Sequence, residues 1–286
     1  MLYLFLAVIA ASTYSILFKL FACREIDSLQ AIAFNYLTAT LLGVGLSLGS
    51  LGGGVVLDGV EWGLSVVMGA MFMIAFVLMA RSTARVGVSV TTVAARVALI
   101  IPVVLSYLLI PGQIEPRWVA VVVILLALVM VIWQPKSGGL EIKSGGLGGL
   151  VLPIAVFVLF GTNNFCLKWA QSRMTEVGAP EQLSAAIFLF AALFAGGYYL
   201  VTTKQRRFSW QAMVGGVALG VANFFTTYFM ILGLAELPSA VFFPIYHVGI
   251  VALVTTLGVW LFGERLSKMQ IVGLVVAAAG IVAFFL

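Results

Sequence analysis

The sequence predicts an all-α integral membrane protein: ten transmembrane helices, arranged as two inverted five-helix repeats around a central cavity. Three observations carry this. Of the 286 residues 63% are hydrophobic and only 9% charged, with a mean hydropathy of +1.19, whereas soluble domains carry about a quarter charged residues and about half apolar ones. Apolar runs of bilayer-spanning length, about twenty residues each, recur ten times between charged or Gly/Pro-rich breaks. The most Gly/Ser-rich stretch, QPKSGGLEIKSGGLGG at 134–149, falls at the chain's midpoint. It separates two groups of five, and five is odd, so similar halves must run oppositely through the membrane, the usual skeleton of secondary carriers.

The runs are 2–22, 28–49, 62–80, 86–110, 117–134, 148–170, 182–203, 209–233, 237–262 and 268–286. The first, LYLFLAVIAASTYSILF, follows Met1 without a basic leader or a small-residue cleavage site, so it is expected to be a span rather than a signal peptide. The fourth is closed by Pro111-Gly112 and holds one charge, Arg96; the ninth holds the chain's single histidine, His247. Trp62, Trp118, Trp133, Trp169, Trp210 and Trp260 all lie at or near span ends, where an aromatic belt belongs. The continuous runs do not match the alternating ten-residue segments of a β-barrel. The expected organisation is a first repeat over 1–134, a linker over 135–147 and a second repeat over 148–286.

The repeat can be read directly. A shift of 151 residues places Gly69 on Gly220, Ala84 on Ala235, Gly112 on Gly263 and Arg117 on Lys268, without a gap from the third span to the fifth. Identity over 84–133 is seven positions, so the common register of turns and spans carries the inference. The same shift places Arg96 on His247, each about eleven residues into its span. In an inverted repeat the two face each other across the cavity axis.

An arginine at mid-membrane costs at least about 2.5–3.5 kcal/mol and marks a functional site by default. Arg96 is therefore a candidate to bind an anionic group; the alternative is an arginine satisfied by backbone carbonyls, tying helices together. His247 is either a substrate contact and proton-linked switch or a hydrogen-bonded interior histidine. A shift of 149 matches Lys19 with Lys168 and Thr13 with Thr162. The lysines either snorkel to the headgroups or add to a basic cavity. Asn163, Asn164 and Asn223 are cavity candidates because amides are costly facing lipid, with interhelical bonding as the other reading; Tyr228 and Tyr246 complete the candidate set. Pro102, Pro153 and Pro244 interrupt candidate helices and permit kinks near this centre.

No Asp or Glu lies deep in any span; Asp27, Asp58, Glu61, Glu115, Glu141, Glu176, Glu181, Glu236 and Glu264 sit in loops or at span ends. The buried formal charge is positive, which favours anionic or zwitterionic cargo. An aromatic cage could still hold a quaternary amine without a carboxylate.

The final hairpin, FGERLSKMQIVGLVVAAAGIVAFF at 262–285, resembles the ninth-to-tenth-helix hairpin of EamA-like members of the drug/metabolite transporter superfamily. There a Gly-Glu-Arg turn precedes a Gly-rich last helix. PGQIEPRW at 111–118 is a degraded copy, with Gln113 where the second half has Glu264, and the opening helix ending in FKLF and the mid-chain linker also fit. The resemblance implies a ten-helix carrier that works by alternating access without ATP. Its members move amino acids, sugars, nucleotide sugars, phosphorylated metabolites, choline and cationic drugs.

The expected function is secondary-active transport of a small anionic or zwitterionic metabolite, an amino acid or sugar-acid-like compound, with the proton as candidate coupling ion. The alternatives are an exporter of cationic or quaternary-amine compounds using an aromatic cage, and a non-transporting scaffold or lipid-handling protein. No HExxH, acidic pair, Gly-x-Ser-x-Gly or cysteine cluster points to an enzyme. Two cysteines suggest no metal or disulfide framework, no cofactor is expected, and the scattered basic residues do not suggest nucleic acid. The expected partners are the bilayer and the small-molecule substrate, in a monomer or homodimer.

Loops after odd-numbered spans hold Arg24, Arg81, Arg85, Lys136, Lys143, Lys204, Arg206, Arg207, Arg265 and Lys268, against Arg117 and Arg173 on the other side. The positive-inside rule then places both termini outside a cytoplasmic membrane of bacterial type, whereas relatives are often drawn with both termini inside.

Overall fold

The computed structural model describes residues 1–24, 26–51, 54, 57–86, 88–132, 151–174, 179–203, 208–263 and 266–285. The 135–147 linker, Trp133, Glu141, Glu176, Glu264 and the basic residues Lys136, Lys143, Lys204, Arg206, Arg207 and Arg265 lie outside them. The described residues are helical with short connections: α1 (Leu2–Cys23), α2 (Ser28–Leu51), α3 (Gly59–Val86), α4 (Val88–Val97), α5 (Ile100–Leu109), α6 (Trp118–Ile132), α7 (Val151–Arg173), α8 (Ala179–Thr202), α9 (Trp210–Glu236), α10 (Ser239–Phe262) and α11 (Lys268–Phe285). Among the described residues eight helical segments are long and apolar enough to cross a membrane, one of them α4 and α5 together over Val90–Leu109. α6 and α11 supply two shorter apolar helices.

The surface is apolar: Val119 is 81% exposed, Val201 85% and Leu108 65%. In water a face like this would aggregate; in a bilayer it is the solvated one, and the chain is an all-α membrane protein. The described tryptophans, 38–79% exposed, point outward at helix ends, as a belt requires.

Polar residues at the helix starts close the free backbone N–H groups. Asp27 Oδ1 accepts from the amides of Leu29 and Gln30 at 3.0 and 3.2 Å. Asp58 and Glu61 form a reciprocal capping box on α3: Asp58 Oδ1 accepts from the Glu61 amide at 2.9 Å, and Glu61 Oε2 accepts from the Asp58 amide at 3.0 Å. Ser267 and Gln270 repeat the arrangement on α11 at 3.2 and 2.9 Å. Gln113 accepts from the Ser239 amide at 3.1 Å and so caps α10.

The span expected over 86–110 is two helices, broken at Ala98–Leu99. The proline ring of Pro102 opposes the carbonyl four residues back, that of Ala98, and has no N–H to give it. The chain tightens there, with the Leu99 amide bonding Arg96 O at 3.3 Å and the Ile101 amide bonding Ala98 O at 3.1 Å. Pro244 stays inside a continuous α10.

By contacts the chain forms two compact units, Met1–Met73 with Ala170–Glu236, and Ile74–Trp169 with Leu237–Leu286. Each draws on both sequence halves, so a compact unit is not a repeat; the boundaries at 134 and 148 concern chain order. In the first unit α9 packs on α1 and α2, and α2 on α8. Gly216 and Gly220, a GxxxG pair, lay α9 against the backbone of α2 at Ala31 and Asn35. In the second unit α11 packs on α6, and α10 on α5, α6 and α11. Gly112 and Gly263, matched by the 151-residue shift, have φ of 79° and 65°, left-handed values that glycine adopts without a Cβ clash.

Candidate functional site

Six of the nine candidates belong to the second unit: Arg96, Asn163, Asn164, Lys168, Tyr246 and His247. Arg96 is half-buried in the last turn of α4, two residues before the break. The hydroxyls of Ser82 on α3 and Thr91 on α4, both fully buried, lie 2.7 Å apart and hold the start of α4. Tyr246 and His247, 6% and 4% exposed, meet edge to face at 5.3 Å, and Tyr246 stacks on Phe242 at 5.6 Å. Arg96 interacts electrostatically with both Tyr246 and His247.

Among the described residues no acidic side chain pairs with Arg96, and neither ring nitrogen of His247 has a hydrogen-bond partner. Buried polar groups are nearly always satisfied, so an imidazole with both nitrogens open is an exception that keeps His247 a candidate contact for a bound group. α7 approaches the α4–α5 break at Gly161, where a Cβ would stand 2.8 Å from Ala98 O. Two residues on, Asn163 has a buried Oδ1 without a partner, and Asn164 is half-buried. Lys168 is 5% exposed, so it does not lie extended over the surface.

The first unit holds Lys19, Asn223 and Tyr228. Asn223, buried at 8% exposure, donates to Asn35 Oδ1 at 3.2 Å and ties α9 to α2; it serves as the interhelical bond that was the other reading. Tyr228 donates to Glu181 Oε1 at 3.0 Å. Lys19 is half-buried near the end of α1. The Tyr228–Glu181 pair was not expected: Glu181 reads as a span-end acid, and nothing local announces a partner 47 residues away.

No protein-family model matches the chain. An uncharacterized protein of Haemophilus influenzae is similar to it, 24% identical over 290 residues that take in 99% of this chain and 97% of that protein. A protein of known crystal structure shares the fold with a TM-score of 0.79 and 14% identity, over 99% of this chain and 95% of that one. At that identity the likeness concerns the fold alone.

Proposed function

We propose that the chain is a secondary-active transporter of a small anionic or zwitterionic metabolite, of the EamA-like drug/metabolite type, working by alternating access with ten spans in two inverted repeats. The observation that carries this reading is Arg96 beside the break between α4 and α5, in the same compact unit as His247, which is buried with both ring nitrogens unpartnered. Ionisable residues inside a membrane line substrate paths, and broken helices at that depth hold substrate in carriers. Arg96 offers a fork of donors shaped for a carboxylate or phosphate; His247, Tyr246 and the amides of Asn163 and Asn164 orient the rest. The matched left-handed glycines support the repeat, as does the packing of α2 on α8 and α6 on α11, each a helix on its counterpart. The charge bias supports odd-numbered loops in the cytoplasm.

One arrangement favours the rival reading, export of cations through an aromatic cage. On α9, Phe224 and Tyr228 stack at 5.7 Å, Phe225 and Phe229 at 5.5 Å, and Glu181 brings a carboxylate whose Oε2 is buried and unpartnered. Phe225 and Phe229 also wall an apolar groove of about 250 Å³ against Ile9 and Thr13 of α1.

A thermal-shift screen of the purified chain against amino acids, sugar acids, phosphorylated metabolites and quaternary amines tests the choice. Anionic or zwitterionic compounds should stabilise the parent and not a folded Arg96→Ala variant. Hits should then be taken up by proteoliposomes. Stabilisation by quaternary amines alone, unaffected by Arg96→Ala, would replace this reading with its rival.

A further inference from the structure

We propose that the first unit carries a binding site, separate from Arg96, for an organic ammonium ion with a hydrocarbon arm. The arm lies in the groove between α1 and α9. The ammonium rests on the aromatic rings at the groove's end, with Glu181 behind them as counter-charge. This site goes beyond the transport reading above and stands without it.

The groove holds about 250 Å³ between Leu6, Ile9 and Thr13 of α1 and Ala218, Val221 and Phe229 of α9. Thr13 Oγ1 already donates to the Ile9 carbonyl at 3.0 Å, so the groove selects hydrocarbon. A cavity of about 150 Å³ takes benzene, which leaves room here for a phenyl group or an alkyl chain. Tyr3, three residues before Leu6 and so on the same face of α1, stacks on Phe229 at 6.4 Å. Phe229 stacks in turn on Phe225 at 5.5 Å and meets Tyr228 at 5.5 Å. All four rings are half-buried, so part of each stays open.

Charge selects the head group. Tyr228 donates to Glu181 Oε1 at 3.0 Å, while Glu181 Oε2 is buried and has no donor among the described residues. Neither α8 nor α9 carries a Lys or Arg, and Lys19 of α1 lies more than four turns along the helix from Tyr3. The Met1 ammonium is taken by Glu236 at 2.7 Å, and Arg173 by Asp58 at 3.1 Å. Glu181 is the third residue of α8, where the helix N-terminus favours its charge without giving Oε2 a donor. A carboxylate bonded to the Tyr228 hydroxyl polarises that phenol, and a cation over an aromatic face gains most where water is excluded. An anion is repelled there, and a neutral alcohol gains nothing. The order of groups also matches the bilayer: Glu181 stands at the start of a span, and the groove runs from Leu6 towards the middle of another. An amphiphilic ammonium would thus keep its head at the boundary and its arm in hydrocarbon.

The probe is phenethylammonium, compared with 2-phenylethanol (neutral head), 3-phenylpropionate (anionic head) and ethylammonium (no ring). Binding to the purified full-length chain in maltoside micelles is measured by calorimetry against empty micelles. Phenethylammonium should bind about tenfold or more tightly than each of the others. Glu181→Gln, which keeps the shape and removes the charge, should erase the preference over the alcohol, and Tyr228→Phe, which keeps the ring, should reduce it. Ala218→Leu fills the groove from an exposed position and should weaken phenethylammonium towards ethylammonium. Arg96→Ala should leave all of this unchanged. Alcohol binding as tight as ammonium binding, or a preference that survives both Glu181→Gln and Tyr228→Phe, overturns the proposal and leaves the transport reading standing. Loss of phenethylammonium binding in a folded Arg96→Ala variant overturns it too, because the site is then not separate. Displacement by added phosphatidylethanolamine but not phosphatidylglycerol gives the site to a lipid headgroup and overturns its assignment to a free amine. Uptake of phenethylammonium by proteoliposomes that take up no anion supports the site and replaces the transport reading.

Discussion

Gly220→Ala adds one methyl group where α9 lies on α2. A Cβ at position 220 would stand 2.6 Å from the carbonyl oxygen of Asn35 and 2.7 Å from Thr38 Cβ. Ordinary contact begins at 3.4 Å, so the helices must separate by about 0.8 Å at that point. The obstruction is backbone, which cannot swing aside as the end of a side chain could. The cost therefore belongs near the top of the overpacking range, about 3 kcal/mol. Alanine's better helix propensity returns about 1 kcal/mol, leaving a net loss of about 2 kcal/mol. Gly196→Ala in α8 is the control, since nothing lies within 4 Å of its added Cβ; that variant should equal or exceed the parent. Reversible unfolding in mixed micelles, followed by circular dichroism, gives both differences. If Gly220→Ala matches Gly196→Ala in stability, α9 is not seated on the α2 backbone as described.

Asn223→Leu should destabilise the fold by about 1–3 kcal/mol, because Asn35 Oδ1, in a fully buried side chain, would lose the Asn223 amide donor; the same unfolding assay should show Asn35→Leu combined with Asn223→Leu recovering much of that loss. Asp27→Ala removes the cap of α2 and should cost about 1 kcal/mol in that assay, with no loss expected from Asp27→Asn. The Asp58 carboxyl is held below its ordinary value, first by the Glu61 amide and then by the Arg173 guanidinium at 3.1 Å. A carboxyl with a depressed folded-state pKa contributes stability fully above its unfolded value of about 3.9 and loses it as pH falls through the folded value. Acid titration of unfolding should therefore find Asp58→Asn less stable than the parent at neutral pH and the two converging below about pH 4; parallel curves would remove Asp58 from the linkage.

How much of this was legible depends on the range over which each feature is determined. Most helix ends were readable to within three residues, but α3 runs to Val86, six residues past its expected end at 80. A run of apolar side chains long enough to span a bilayer must satisfy its backbone internally, and that requirement is local. The break at Ala98–Leu99 was half-visible: Pro102 announces a kink, but where the chain tightens depends on what lies against the freed carbonyl, here Gly161. The GxxxG pair at Gly216 and Gly220 was present in the letters yet silent, since its meaning depends on which face of α9 meets which helix. In a helix apolar all round there is no polar stripe to settle that.

The same division runs through the site. Arg96 and His247 could be matched because a shift of 151 residues superposes two apolar runs and sets one on the other, a relation internal to the sequence. Asn223 and Asn163 looked alike, an amide in an apolar helix, and the fold separates them: Asn223 meets Asn35 188 positions away, while Asn163 keeps an open Oδ1. An amide's role in a membrane span is decided by whether the fold brings it a partner, and that is not a property of the amide. The candidates worth pursuing are those buried without one. By that criterion His247, with two open nitrogens, stands before every asparagine.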